Sequence, residues 1–108
     1  MANVIPTATF QQEVIAQSGY LVEQAPAEWL ENFVAAIDQL RRALTSMPAM
    51  GKPEKQNARI ALRSLMLSSK LPYIVYYAHR LEDPITEVRL LRLVHERQRR
   101  PRMTVPFW

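Results

Sequence analysis

The sequence predicts an α+β fold in which a short strand and two helices precede a three-stranded antiparallel meander. Three features lead there. Leu30, Phe33, Ile37, Leu40, Leu44 and Met47 recur at alternating intervals of three and four, the spacing that lines one side of an α-helix. The runs Arg59–Leu67 and Leu71–Tyr77, separated only by Ser68-Ser69-Lys70, read as two paired antiparallel strands. After a turn at Leu81-Glu82-Asp83-Pro84, Val88–His95 combines β-branched residues, leucines and interspersed arginines, and reads as a third strand.

Taken in order, Val4-Ile5 forms the short first strand, and Pro6-Thr7-Ala8-Thr9 supplies a turn and an N-cap ahead of Phe10. Phe10, Val14, Ile15, Leu21 and Val22 then mark the apolar side of a first helix that ends near Gln24. Gly19 inside it costs about 1 kcal/mol relative to alanine. Pro26 suits the first position of the second helix because it lacks the N–H that would go unpaired there. Glu28 and Glu31 complement the positive end of that helix, and Arg41 and Arg42 the negative end. Pro48, Gly51 and Pro53 stop it and open a polar loop. About twenty residues at 1.5 Å rise make a helix about 30 Å long, enough to cross a small sheet. The last stretch, residues 97–108, is basic and then carries two prolines with Phe107 and Trp108, so no regular structure is expected there. Phe107 and Trp108 either fold back on an exposed core edge or anchor a partner.

A length of 108 residues with 48% hydrophobic and 22% charged side chains fits one domain with one core, spanning residues 1–108, and argues against wholesale disorder. The chain has no cysteine, so it carries no disulfide framework and no thiolate metal site, and a reducing, cytoplasmic setting is expected. The opening residues lack the charge and apolar run of a signal peptide, and no stretch is apolar enough to enter a membrane.

Charge is distributed unevenly. Residues 1–58 hold four basic and six acidic side chains, whereas residues 59–108 hold ten basic and four acidic, and the two parts account for the net charge of +4. A field of that sign in the C-terminal half attracts nucleic acid or an acidic protein, unless it serves only as a solvated face.

Familiar catalytic chemistry is absent. The two histidines, His79 and His95, fall in different strands with no acidic pair at ligand spacing, so no metal is expected. Gly19 and Gly51 are the only glycines, which removes phosphate-cradling loops and with them nucleotide cofactors. No serine lies in a nucleophile elbow, and Glu96, beside His95, points the wrong way on a strand to orient it. What remains is an arginine-rich group: Arg59 and Arg63 on one strand, Arg89 and Arg92 on another, and His95, Arg97, Arg99, Arg100 and Arg102 at and beyond its end. Guanidinium groups in this number grip phosphates, hold carboxylates, or stabilise the phosphorane of RNA cleavage. Tyr73, Tyr76 and Tyr77 either stack on bases or, as strand aromatics of that density more often do, fill a core.

The run Val88-Arg89-Leu90-Leu91-Arg92-Leu93-Val94-His95-Glu96-Arg97-Gln98, following Leu71-Pro72-Tyr73-Ile74-Val75-Tyr76-Tyr77, resembles the closing strands of the ParE/RelE superfamily of toxin–antitoxin toxins. Gln12–Glu23 resembles the first helix of that superfamily, Ala25-Pro26 the break after it, and Ala35 through Met47-Pro48-Ala49-Met50-Gly51 its second helix and exit, so the likeness covers residues 4 to 102. The resemblance implies two antiparallel helices on a twisted antiparallel sheet. It also implies a cognate antitoxin that wraps the toxin with a helix and an extended segment, giving a toxin–antitoxin hetero-oligomer.

Two activities come with the resemblance: poisoning of DNA gyrase in the ParE-like branch, and ribosome-dependent mRNA cleavage in the RelE-like branch. The nuclease set would draw on Arg97, His95 and Arg63 here. It is incomplete, because Met103 stands where a tyrosine is expected about six residues after Arg97, and Arg59 and Arg63 replace a lysine pair. The run ending in His95 and Arg97 looks more like the ParE branch, so gyrase inhibition by binding, in a plasmid-stabilisation system, is the expected activity. The ribosome and mRNA are the alternative targets, and a non-toxic antitoxin-binding module is a third reading. The expected toxic or partner surface comprises Arg59, Arg63, Arg89, Arg92, His95, Arg97, Arg99, Arg100 and Arg102.

Overall fold

The computed structural model describes residues 1–108. Strand β1 (Asn3–Pro6) leads into helices α1 (Ala8–Gln24) and α2 (Ala27–Ser46). Strands β2 (Lys52–Gln56), β3 (Ile60–Met66), β4 (Tyr73–Arg80) and β5 (Glu87–His95) follow. The fold is α+β, with both helices packed on one face of a five-stranded sheet ordered β1-β5-β4-β3-β2. Neither helix is long and apolar enough to cross a membrane.

The sheet differs from the expected four-stranded antiparallel one in two respects. It is mixed, because β1 pairs parallel to β5, with Val4 opposite Val88 and Pro6 opposite Leu90. A parallel pairing needs a long crossover, and here everything from α1 to β4 lies between the partners. The segment read as a polar loop after Pro48 also contains a fifth strand, β2, which pairs antiparallel to β3 with a register shift between Pro53 and Lys55. An edge strand needs no apolar alternation and tolerates proline, which is why Lys52-Pro53-Glu54-Lys55-Gln56 gave no strand signal.

Helix starts also shift slightly. Thr7 caps α1, its Oγ1 accepting from the Phe10 N–H at 3.3 Å while its hydroxyl donates to the Leu90 carbonyl at 2.8 Å, so one residue starts the helix and ties it to β5. Pro26 is the N-cap of α2 rather than its first helical residue. Of the residues expected on the apolar side of α1, Phe10, Val14 and Leu21 meet the core, whereas Ile15 and Val22 are exposed. Positions 10, 14 and 21 define one stripe, and 15 and 22 each sit a single residue, about 100°, past it. Met47 follows the end of α2 and is exposed.

Alternation along β4 builds two cores. Tyr73, Val75 and Tyr77 face the helices and join Phe33, Leu40 and Leu44 of α2 in the main core, with the Tyr73 and Phe33 rings 5.1 Å apart. Full burial of a side chain such as Phe33 or Leu44 is worth about 1.5–3 kcal/mol. Ile74 and Tyr76 face the other side and form a second cluster with Val94 and Met103. A bulge in β5 opposite Tyr76 and Tyr77 lets Leu90 and Leu93 both point at the helices despite their odd spacing.

Candidate functional site

The arginines of the C-terminal half are not equivalent. Strand β1 stops at Pro6, opposite Leu90, which leaves the remaining edge of β5 without a strand partner. Helix α1 starts at that point, and Glu13 closes the edge. Its Oε1 accepts the Leu93 backbone N–H at 3.0 Å, and its two oxygens accept from Arg92 Nε, each at 3.0 Å, with Nη2 at 2.9 Å. The hydrogen bond from Glu13 raises the Arg92 pKa above its already high value, against the opposing effect of burial. Arg92, expected in the toxic surface, is therefore committed to holding α1 against β5.

Arg63 is committed as well. Its Nε donates to His79 Nε2 at 3.0 Å and its Nη1 to the Gly51 carbonyl at 2.9 Å. His79 is buried, and its Nδ1 lies 2.8 Å from the Arg80 carbonyl, which assigns the ring proton to Nδ1 and leaves Nε2 to accept. Beside them the Tyr77 hydroxyl accepts the Gly51 N–H at 2.8 Å. A Cβ on Gly51 would lie 2.6 Å from the Tyr77 hydroxyl and 2.8 Å from the Ser64 carbonyl, so only glycine fits. This cluster pins the exit of α2 to β3 and β4.

His95 lies at the other end of the sheet. Its ring stands edge-on to Tyr73 with centroids 5.3 Å apart, its backbone N–H donates to Gln98 Oε1 at 2.8 Å, and its Nδ1 accepts the Arg97 N–H at 3.1 Å. With Tyr20, Trp29, Pro72, Tyr73 and Arg97 it lines a cleft of about 570 Å³ between the helix pair and the ends of β4 and β5. The Tyr73 hydroxyl donates to Gln17 Oε1 at 3.0 Å, and burial, reinforced by Tyr20, raises its pKa.

Arg63 and His95 do not converge. They sit opposite Tyr77 and Tyr73 on strands flanking β4, a separation of about 13 Å along the sheet and about 9–10 Å across it. All three strand tyrosines are buried and fill core.

Arg59, Arg97, Arg99, Arg100 and Arg102 are exposed and none forms a salt bridge. Arg89 reaches Glu87 at 3.5 Å, and its guanidinium lies 4.0 Å from the Trp108 ring centroid, with Arg80 at 5.3 Å from the same ring. Phe107 is fully exposed. Four of these five free arginines thus gather on the segment that follows β5, an arrangement suited to holding an anionic partner.

Sequence reasoning missed Glu13, the Arg63–His79–Gly51–Tyr77 cluster and the stacking of Trp108 on two arginines. Each depends on long-range pairing. Only Gly51, a lone glycine after Pro48-Ala49-Met50, gave a local sign.

A family model described as ParE toxin of type II toxin-antitoxin system, parDE, matches residues 4–100. No curated protein matches the chain.

Proposed function

Since this chain belongs to the ParE toxin family of type II toxin–antitoxin systems, we propose that it acts in the cytoplasm by binding DNA gyrase through the exposed arginines that follow β5. Family membership implies a cognate antitoxin as its neutralising partner. The observation that carries the gyrase reading is the contrast between two sets of cations. Arg63, which a nuclease site would draw on with His95 and Arg97, is consumed by internal hydrogen bonds and stands far from His95, and Arg92 is likewise tied to Glu13. Arg97, Arg99, Arg100 and Arg102 are unpaired at the surface. Binding needs only displayed charge and shape, whereas acid–base cleavage needs groups within hydrogen-bond reach of one reacting centre.

Purified chain titrated into a gyrase supercoiling reaction tests this. Inhibition is expected with the native protein. It should fall at least about tenfold in the Arg97→Ala, Arg99→Ala, Arg100→Ala triple variant, because several exposed charges act together in partner recognition. The triple variant should keep the native melting temperature, since none of the three side chains makes an internal bond. Undiminished supercoiling at concentrations that stop cell-free translation would overturn the proposal.

A further inference from the structure

The cleft of about 570 Å³ between the helix pair and the ends of β4 and β5 has a fixed floor and open walls. Gln17, Tyr20 and Gln24 recur at intervals of three and four, so they share one face of α1. Gln17 accepts the Tyr73 hydroxyl at 3.0 Å, which turns that face toward the end of β4. The Tyr73 ring lies 5.1 Å from Phe33 and 5.3 Å from His95, held on both flanks, and forms the floor. Tyr20, 60% exposed, and Trp29, 42% exposed in the first turn of α2, give the cleft aromatic walls that stay open to solvent.

The polar side chains of the cleft, Gln24, His95, Glu96 and Arg97, are left with bonding groups unused. Neither the Arg97 guanidinium nor the Glu96 carboxylate enters a salt bridge. Because His95 Nδ1 accepts the Arg97 N–H, the proton of the neutral ring sits on Nε2, a donor with no acceptor in the chain. The same bond holds the imidazole beside Arg97. Each group asks for a definite complement. Adjacent guanidinium and imidazole donors suit the oxygens of an anion. Open aromatic rings take a planar ring. A side-chain amide presents a donor and an acceptor that match the edge of adenine, and a carboxylate accepts from the hydroxyls of a ribose. An adenine nucleotide carries all of these complements in one molecule, and the cleft lies within the range of about 300–1,000 Å³ typical of small-molecule sites. Inorganic phosphate would use only Arg97 and His95, leaving the aromatic walls, Gln24 and Glu96 without a role.

We propose that this cleft binds an adenine ribonucleoside monophosphate, with its base against Trp29 and Tyr20 and read by Gln24, its phosphate on Arg97 and His95 Nε2, and its ribose on Glu96. Side chains rather than backbone amides hold the phosphate, so the site needs no glycine-rich loop. The site stands apart from the gyrase reading, with which it shares only Arg97, and ligand binding is measured directly so that either can fail without the other.

Trp29 and Trp108 are the only tryptophans, so the Trp108→Phe chain carries a single indole reporter, in the cleft. Adenosine 5′-monophosphate should quench its fluorescence saturably, with a dissociation constant below about 1 mM. Adenosine should bind about tenfold or more weaker, because it lacks the charge-assisted bonds. Arg97→Ala should bring the two ligands to similar affinity by weakening the nucleotide alone. In the native background, followed by calorimetry, Trp29→Leu should weaken both ligands by about tenfold through lost stacking. No saturable quenching by the nucleotide below about 1 mM would overturn the proposal. So would an equal affinity for inorganic phosphate, or a preference for the nucleotide over adenosine that survives Arg97→Ala. A ten-nucleotide oligoadenylate that quenches Trp29 at lower concentration than the mononucleotide would overturn the choice of a free nucleotide as ligand.

Discussion

Two glycines with opposite surroundings show how differently single positions bear on this molecule. A Cβ on Gly51 would collide with the Tyr77 hydroxyl and the Ser64 backbone carbonyl, and the latter cannot swing aside. Gly51→Ala should therefore cost about 1–3 kcal/mol by overpacking, read as a lower urea midpoint. Gly19 has nothing within 4 Å, so Gly19→Ala should gain about 0.5–1 kcal/mol by stiffening α1. The tyrosines set a pH limit. Burial raises the phenol pKa of both Tyr73 and Tyr77, opposed at Tyr77 by the Gly51 hydrogen bond and Arg63. The folded chain thus holds these protons more tightly than the unfolded chain, where tyrosine titrates near 10. Stability from this source is intact below about pH 10 and drains away as pH rises through the folded-state values. The melting temperature should fall steeply above about pH 10, and Tyr77→Phe should lessen the steepness while losing the acceptor for the Gly51 N–H.

Among the elements, α1 depends on β5 as much as on its own sequence. Thr7 and Glu13 both bond to β5, and Glu13→Ala would leave the Leu93 N–H and the Arg92 guanidinium without their acceptor. The expected loss is about 1–3 kcal/mol, toward the low end because Arg92 is a third exposed and water replaces part of the interaction. It is checked by denaturant unfolding of the variant. Elements whose signal is local were legible in the sequence: α2 from its stripe, and β3, β4 and β5 from apolar runs broken by turn residues. Strand β2 was not, because an edge strand of lysines, glutamate and proline satisfies its pairing through backbone alone. The parallel pairing of β1 was hidden for a related reason, since four residues carry no record of which distant strand they will meet. At the site, the identity of the arginines was readable but their division was not. Arg92 looks like Arg99 until Glu13, 79 residues away in sequence, is placed beside it.

At the scale of the whole molecule, the charge asymmetry between the two halves becomes a spatial one. In the sheet Arg92 is tied to Glu13 and Arg63 to His79 and Gly51, while the arginines after β5 stay free of salt bridges. A partner held by such exposed charges should associate more slowly as salt rises, with screening lengths of about 10 Å at 0.1 M. Obstruction of gyrase by this chain, as proposed, is decided by inducing it in growing cells while pulse-labelling DNA and protein synthesis in parallel. A gyrase inhibitor should make DNA synthesis fall first. An earlier fall in protein synthesis, with mRNA cleaved at ribosomal positions, would contradict it.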